Sequence, residues 1–216
     1  MSPGFVVAVV GAESTGKTTL AQGLAQRLDR PDRRAVAVSE VLREFCDRAQ
    51  RTPHRDEQAG IAAEQTRRIA AAAASHAIVI ADTTALMTAV YSEWVFGDAS
   101  LHADAARDHR RCDLTLLTAL DLAWTADGLQ RDGPQVREPI DARVREALQR
   151  AGVAYAVVGG SGDARLQSAL RAVEHAIGRT IAEPAALLER GWTTLCERCG
   201  DPDCERRLLP RPSAGD

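Results

Sequence analysis

Gly11-Ala12-Glu13-Ser14-Thr15-Gly16-Lys17-Thr18 fills every fixed position of the pattern G-x-x-x-x-G-K-[ST]. Its flanks narrow the fold further. Before it, Phe5 to Val10 is an unbroken apolar run rich in valine, as a strand buried on both faces requires. After it, Leu20, Leu24 and Leu28 recur at a spacing of four, which sets them on one face of a helix. Gly11 and Gly16 let the backbone turn so that successive N–H groups point inward at phosphate oxygens. Lys17 supplies a point charge for the β- and γ-phosphates, the Thr18 hydroxyl suits Mg²⁺, and the helix that follows adds its positive end. Gly11, Glu13, Ser14, Thr15, Gly16, Lys17, Thr18 and Thr19 are therefore the expected ATP-binding residues.

The rest of the chain alternates in the same way. Short apolar runs predict strands at 35–39, 77–81 (ending at Asp82), 114–120 and 154–158. Helical segments are expected at 40–50, 56–75, 83–96, 101–111 and 140–151. Leu166, Leu170, Val173 and Ile177 mark a closing helix. The alanine run in the third helix is helix-forming rather than low-complexity. Residues 125–139, dense in charge and glycine, read as a loop or mobile flap. The expected fold is α/β: a phosphate-loop three-layer sandwich around a five-stranded parallel sheet. That domain spans residues 1–180, and residues 181–216 form a short cysteine-bearing appendage.

Composition excludes several function classes. Lys plus Arg is 27 against Asp plus Glu 30, a net charge of −3, so no stable non-specific nucleic-acid binding is expected. No stretch approaches the ~20 apolar residues that span a bilayer, and the first residues read as a strand rather than a signal peptide. Five cysteines without a secretion signal suit reduced thiols in a cytoplasmic protein. The oligomeric state leaves no mark in the sequence.

Several side chains outside the loop carry chemistry. Asp82 ends the third apolar strand, where an acid holds Mg²⁺ or takes a proton from a substrate hydroxyl; it also suits the N-cap of the next helix. Arg131 and Arg137, spaced by six in the flap, could stabilise charge on a migrating phosphoryl group from a closing lid; a solvated charged loop is the alternative. Glu40, Arg43 and Glu44 share a helix face at the rim of the sheet, with an exposed, salt-bridged surface as the alternative to a substrate role.

Taken with the phosphate loop, three stretches carry a family resemblance: Glu40-x-x-Arg43-Glu44, Asp82-Thr83-Thr84 and Trp124-Thr125-Ala126-Asp127-Gly128-Leu129. Over about residues 5–177 the chain resembles the ribosylnicotinamide kinase domain of bifunctional NAD-biosynthesis regulators and their shorter relatives. The Trp-x-x-Asp-Gly-Leu stretch is the most specific element. The resemblance implies a nucleoside-kinase-like ATPase that transfers the ATP γ-phosphate to the 5′-hydroxyl of nicotinamide riboside, giving the mononucleotide. The usual arginine after Asp-Gly-Leu is Gln130 here, with Arg131 next. The adenylyltransferase and DNA-binding parts of the bifunctional members have no counterpart in this sequence, so those activities are not carried over.

A flat cationic ring favours aromatic faces and nearby carboxylates. Tyr91, Trp94 and Trp124 are the candidate faces, each with packing in the core as the alternative, and Asp82 and Asp127 the candidate acceptors for ribose hydroxyls, with Glu40 and Arg43 at the substrate end. In the tail, Cys196, Cys199 and Cys204 form a C-x₂-C-x₄-C cluster that suits a structural Zn²⁺. Its fourth ligand could be Cys46, Cys112, His175, a second chain or water; three unligated thiols are the alternative. The expected activity is ATP- and Mg²⁺-dependent phosphorylation of a small nucleoside. A kinase of another small metabolite and a nucleotide-dependent switch or assembly ATPase are the competing readings.

Overall fold

The computed structural model describes residues 3–125 and 133–181. Its centre is a five-stranded, wholly parallel sheet in the order β2-β3-β1-β4-β5. The strands are β1 (Phe5–Val10), β2 (Ala35–Val38), β3 (Ile78–Asp82), β4 (Leu114–Thr118) and β5 (Ala156–Val158). Val7 to Val10 in β1 and Val79 to Ala81 in β3 are fully buried, so the middle strands are covered on both faces. Register pairs Val9 with Asp82 across β1 and β3. That pairing brings the end of β3 level with the start of the glycine loop.

Among the described residues, seven α-helices flank the sheet: α1 (Lys17–Leu28), α2 (Val41–Ala49), α3 (Gln58–Ala73), α4 (Ala85–Phe96), α5 (His102–His109), α6 (Arg137–Arg150) and α7 (Gly162–Ile181). In α1 the predicted stripe Leu20, Leu24 and Leu28 is buried. Leu86, Met87 and Val90 of α4 form one core cluster with Ile140, Val144 and Leu148 of α6 and with Ala8 and Val10 of β1. Ala85 to Val90 is buried without a break, so the first turns of α4 are enclosed on every side. The compact unit that carries this core runs to Val173. A second unit starts at Glu174 and is described only through residue 181, as the end of α7.

Several boundaries differ from expectation, two of them at helix starts for a plain local reason. The helix after β3 starts at Ala85 because Thr83 takes a left-handed conformation (φ +70°) and Thr84 caps the helix, accepting from the Leu86 amide at 3.3 Å. The helix expected from Ile140 starts three residues earlier, at Arg137, led by a 3₁₀ turn over Pro134–Val136. Pro139 therefore sits in the first turn of α6, where its missing N–H has no intrahelical partner to lose. The predicted strand ends at 120 and 154 shorten to Thr118 and Ala156. No described helix is long and apolar enough to cross a membrane.

Candidate active site

The glycine loop is held open by hydrogen bonds from below. Gly11 has φ +146°, and a Cβ there would collide with the Thr118 hydroxyl. Gly16, at φ +73°, is the N-cap of α1. Glycine enters such conformations freely, whereas other residues do so with strain. The Thr15 hydroxyl donates to the Ala12 carbonyl at 2.7 Å and lies 2.7 Å from the Thr118 hydroxyl; Thr118 in turn donates to the Val10 carbonyl at 3.2 Å. Lys17 Nζ reaches across the loop to the Ala12 carbonyl at 2.8 Å. Ser14 accepts from the Thr125 amide at 2.8 Å. Thr19 is exposed on the first turn of α1.

Asp82 reaches this loop through Thr18, whose hydroxyl donates to Asp82 Oδ2 at 2.6 Å. Asp82 is buried, and the cap of the following helix is Thr84, so the capping alternative for Asp82 falls away. A hydroxyl beside a carboxylate next to the phosphate loop is an all-oxygen donor set, which fits a hard divalent cation such as Mg²⁺.

A cavity beside the loop is lined by Glu13, Ser14 and Lys17, by Glu40 and Arg43 at the start of α2, and by Thr83. Met87, Tyr91, Trp124 and Thr125 complete its wall. Burial pushes the Lys17 ammonium below the ordinary lysine range, with Glu40 and then Asp82 opposing. Burial pushes the Glu40 carboxyl above the ordinary range, with Lys17 opposing. Arg43 Nε lies 3.5 Å from Glu40 Oε2. Lys17 and Glu40 thus bring a cation and a carboxyl to one cavity beside the phosphate loop.

Not every predicted residue converges on this cavity. Trp94 is outside it. It shares the Tyr91 side of α4 but lies a turn further on, packed into the core with the Arg143 guanidinium 4.5 Å from its ring centre. Arg137 is not on a flap: it opens α6 and is buried, with Nη1 donating to the Leu122 carbonyl at 2.8 Å. Its Nε and Nη2 have no hydrogen-bond partner among the described residues. Asp127, Arg131 and the tail cysteines Cys196, Cys199 and Cys204 lie outside the described residues. Cys46 is packed into an apolar cluster, and burial pushes the Cys112 thiol up to about 12. Among the described residues no group of His, Cys, Asp or Glu could hold a metal by itself.

Three supporting residues were invisible in the sequence. Thr118 braces the loop as described. Arg165, 4% exposed, donates through Nη2 to the Thr15 carbonyl at 2.9 Å and through Nη1 to Asp121 at 2.7 Å and the Gly160 carbonyl at 2.8 Å. It thereby ties the phosphate loop to the turns after β4 and β5. His109, also buried, lies 2.8 Å from the Thr84 hydroxyl and 3.0 Å from that of Thr115, bracing the cap that follows Asp82 and Thr83. Burial holds its pKa down to about 4, so the ring is neutral. Thr15 and Asp121 lie far in sequence from Arg165, as Thr84 does from His109, and no local pattern marks these contacts. For Arg165, the glycines at 159, 160 and 162 just upstream were the available hint of a built turn.

Solved structures with this fold include a NadR protein in complex with NR (TM-score 0.67, 23% identity, covering 81% of this chain and 52% of that one). A NadR protein in complex with NAD and AMP-PNP is similar (TM-score 0.65, 22% identity, 81% and 50% covered). So is deoxyadenosine kinase from M. mycoides with dCMP and dCDP (TM-score 0.54, 11% identity, 79% and 100% covered). The chain spans about half the length of the NadR chains. No curated protein matches it. The profile of the AAA domain family matches residues 6–165, the strands and helices that build the phosphate loop and its cavity. The chain therefore belongs to the AAA domain family, on the fold it shares with the NadR structures.

Proposed function

We propose that the protein is a nucleoside kinase that transfers the ATP γ-phosphoryl group to the 5′-hydroxyl of nicotinamide riboside. One observation carries the reading. A single cavity is lined by Ser14 and Lys17 of the phosphate loop, by the partly buried Glu40, whose carboxyl pKa is raised, and by Tyr91 and Trp124. A nucleotide switch needs the first of these but has no use for the other two. The Trp124-to-Leu129 stretch and the likeness to a NadR protein in complex with NR support the choice of nicotinamide riboside. The flat cationic ring of that acceptor suits aromatic faces.

In this account the loop amides and Lys17 bind the β- and γ-phosphates and neutralise charge as it develops. Mg²⁺, when bound through the Thr18 hydroxyl and Asp82, supplies further neutralisation of phosphate oxygens. Asp82 is already engaged with Thr18, which favours Glu40 as the group that takes the proton from the attacking hydroxyl. The acceptor oxygen bonds to the γ-phosphorus, the bond to the β–γ bridging oxygen breaks, and ADP leaves. Tyr91 and Trp124 orient the ring; Arg137, with Arg131 and Asp127 from the Trp124 stretch, completes the phosphate and ribose contacts. A second reading, a deoxynucleoside kinase, is supported by the likeness to deoxyadenosine kinase.

The test is ADP formation with Mg²⁺ and a panel containing nicotinamide riboside, adenosine, deoxyadenosine and deoxycytidine. Acceptor-dependent turnover greatest with nicotinamide riboside supports the proposal. Turnover greatest with a deoxynucleoside supports the second reading. Slow hydrolysis indifferent to every acceptor would make the protein a nucleotide switch.

A further inference from the structure

Thr83, Met87 and Tyr91 follow one another at a spacing of four, and all three line the cavity. Thr83 is at the phosphate end, next to Asp82. Its amide donates to the Val9 carbonyl at 3.0 Å, which pins the turn to the sheet. Its φ of +70° is a conformation that a β-branched residue rarely adopts. Glycine or asparagine would make the same turn with less strain, so the turn alone does not call for threonine.

The side chain supplies the missing reason. Thr83 is 4% exposed, yet its hydroxyl makes no hydrogen bond among the described residues. The hydroxyls around it are all engaged: Thr18 with Asp82, Thr84 with the Leu86 amide and His109, Thr15 with Ala12 and Thr118. Nor is the Thr83 oxygen among the sealed, partnerless polar atoms, so it keeps access to the cavity that the residue lines. A hydroxyl that faces a cavity with no protein partner is free to bond a polar group that enters it.

We propose that Thr83 is an acceptor-recognition residue, held in a strained turn so that its hydroxyl hydrogen-bonds a hydroxyl on the sugar end of the nucleoside. The inference rests on the kinase reading above. It also orients the acceptor: the sugar lies by Thr83 and Asp82, and the ring lies along Met87 and Tyr91.

The experiment compares Thr83→Ala, Thr83→Ser and Thr83→Gly with the unaltered protein. It measures kcat/KM for the nucleoside that the unaltered protein turns over fastest, nicotinamide riboside being the first probe, together with ATP affinity and melting temperature. Thr83→Ala should lower kcat/KM for the nucleoside about tenfold or more while ATP affinity stays within about twofold. Thr83→Ser should restore most of the loss. Thr83→Gly should melt above Thr83→Ala, because the strain is relieved, yet be as poor with the acceptor. Undiminished kcat/KM in Thr83→Ala and Thr83→Gly would overturn the proposal, as would an equal loss of ATP and acceptor binding. If the unaltered protein phosphorylates no nucleoside, the kinase reading fails and this inference falls with it.

Discussion

Replacing Arg165 with methionine tests whether the phosphate loop depends on its brace from α7. The change keeps an unbranched side chain of similar length and removes the guanidinium. Three well-formed bonds disappear, to the Thr15 carbonyl at 2.9 Å, the Gly160 carbonyl at 2.8 Å and Asp121 at 2.7 Å. The fourth contact, to the Ala119 carbonyl at 3.5 Å, is too long to weigh. Breaking a buried ion pair costs about 3–5 kcal/mol. Here the Asp121 side chain is 38% exposed and can rehydrate, so that range is an upper bound. The carbonyl of the fully buried Thr15 has less access to water, and losing a charged donor to it costs about 1.5–3 kcal/mol. A total near 3 kcal/mol corresponds to a fall in Tm of about 6–12 °C for a domain of this size.

The functional consequence should be selective. Arg165 touches the loop that takes the nucleotide and does not line the acceptor cavity. KM for ATP should therefore rise about tenfold while KM for the acceptor stays near its original value. Arg165→Lys, which keeps the charge but cannot fork between two partners, should fall between. Steady-state kinetics and calorimetric melting read both effects. Unchanged Tm and unchanged KM for ATP in Arg165→Met would refute the brace.

Other outcomes follow from the same geometry. Asp82→Asn should raise the Mg²⁺ concentration needed for half-maximal rate and lower kcat at limiting Mg²⁺, because it removes a charged oxygen donor beside Thr18; a folded variant with full activity at low Mg²⁺ would remove Asp82 from the site. His109 has a folded pKa of about 4 against an ordinary 6.5, so the unfolded chain takes up its proton first as pH falls. Its contribution is complete above about pH 6.5 and is lost progressively down to about pH 4, roughly 3 kcal/mol in all. Denaturant titrations between pH 7 and 4 should show this slope, and His109→Gln should flatten it; equal slopes would mean that the ring is not buried neutral. The Cys196, Cys199 and Cys204 cluster is expected to hold one Zn²⁺ per chain, checked by elemental analysis of protein purified without added metal. Metal-free protein with freely titratable thiols would leave ordinary reduced cysteines.

What the sequence showed and what it hid divide along contact range. The strand, loop and first helix were legible because each signal is local: a valine run, two glycines at fixed spacing and leucines every four residues. The cap after β3 was ambiguous because Asp82 and Thr84 are both good caps two positions apart, and only the left-handed Thr83 between them decides for Thr84. Pro139 suggested a loop, but a proline in a first helical turn breaks nothing, so Arg137 lies in a helix. Trp94 has the right helical face to join Tyr91; its distance along the axis decides against it, and periodicity is blind to that distance. Arg165 meets Thr15 across 150 positions of sequence, and no motif encodes such a contact.

Phosphoryl transfer to a nucleoside in the cavity that Lys17 lines is the proposed activity. Its most direct test is mass spectrometry of the products formed from nicotinamide riboside and ATP with Mg²⁺, by the unaltered protein and by a folded Lys17→Ala variant. Nicotinamide mononucleotide and ADP should form in equal amounts with the unaltered protein, and both should be lost with the variant. ATP hydrolysed at one rate with or without the riboside, with no phosphorylated nucleoside formed, would contradict it.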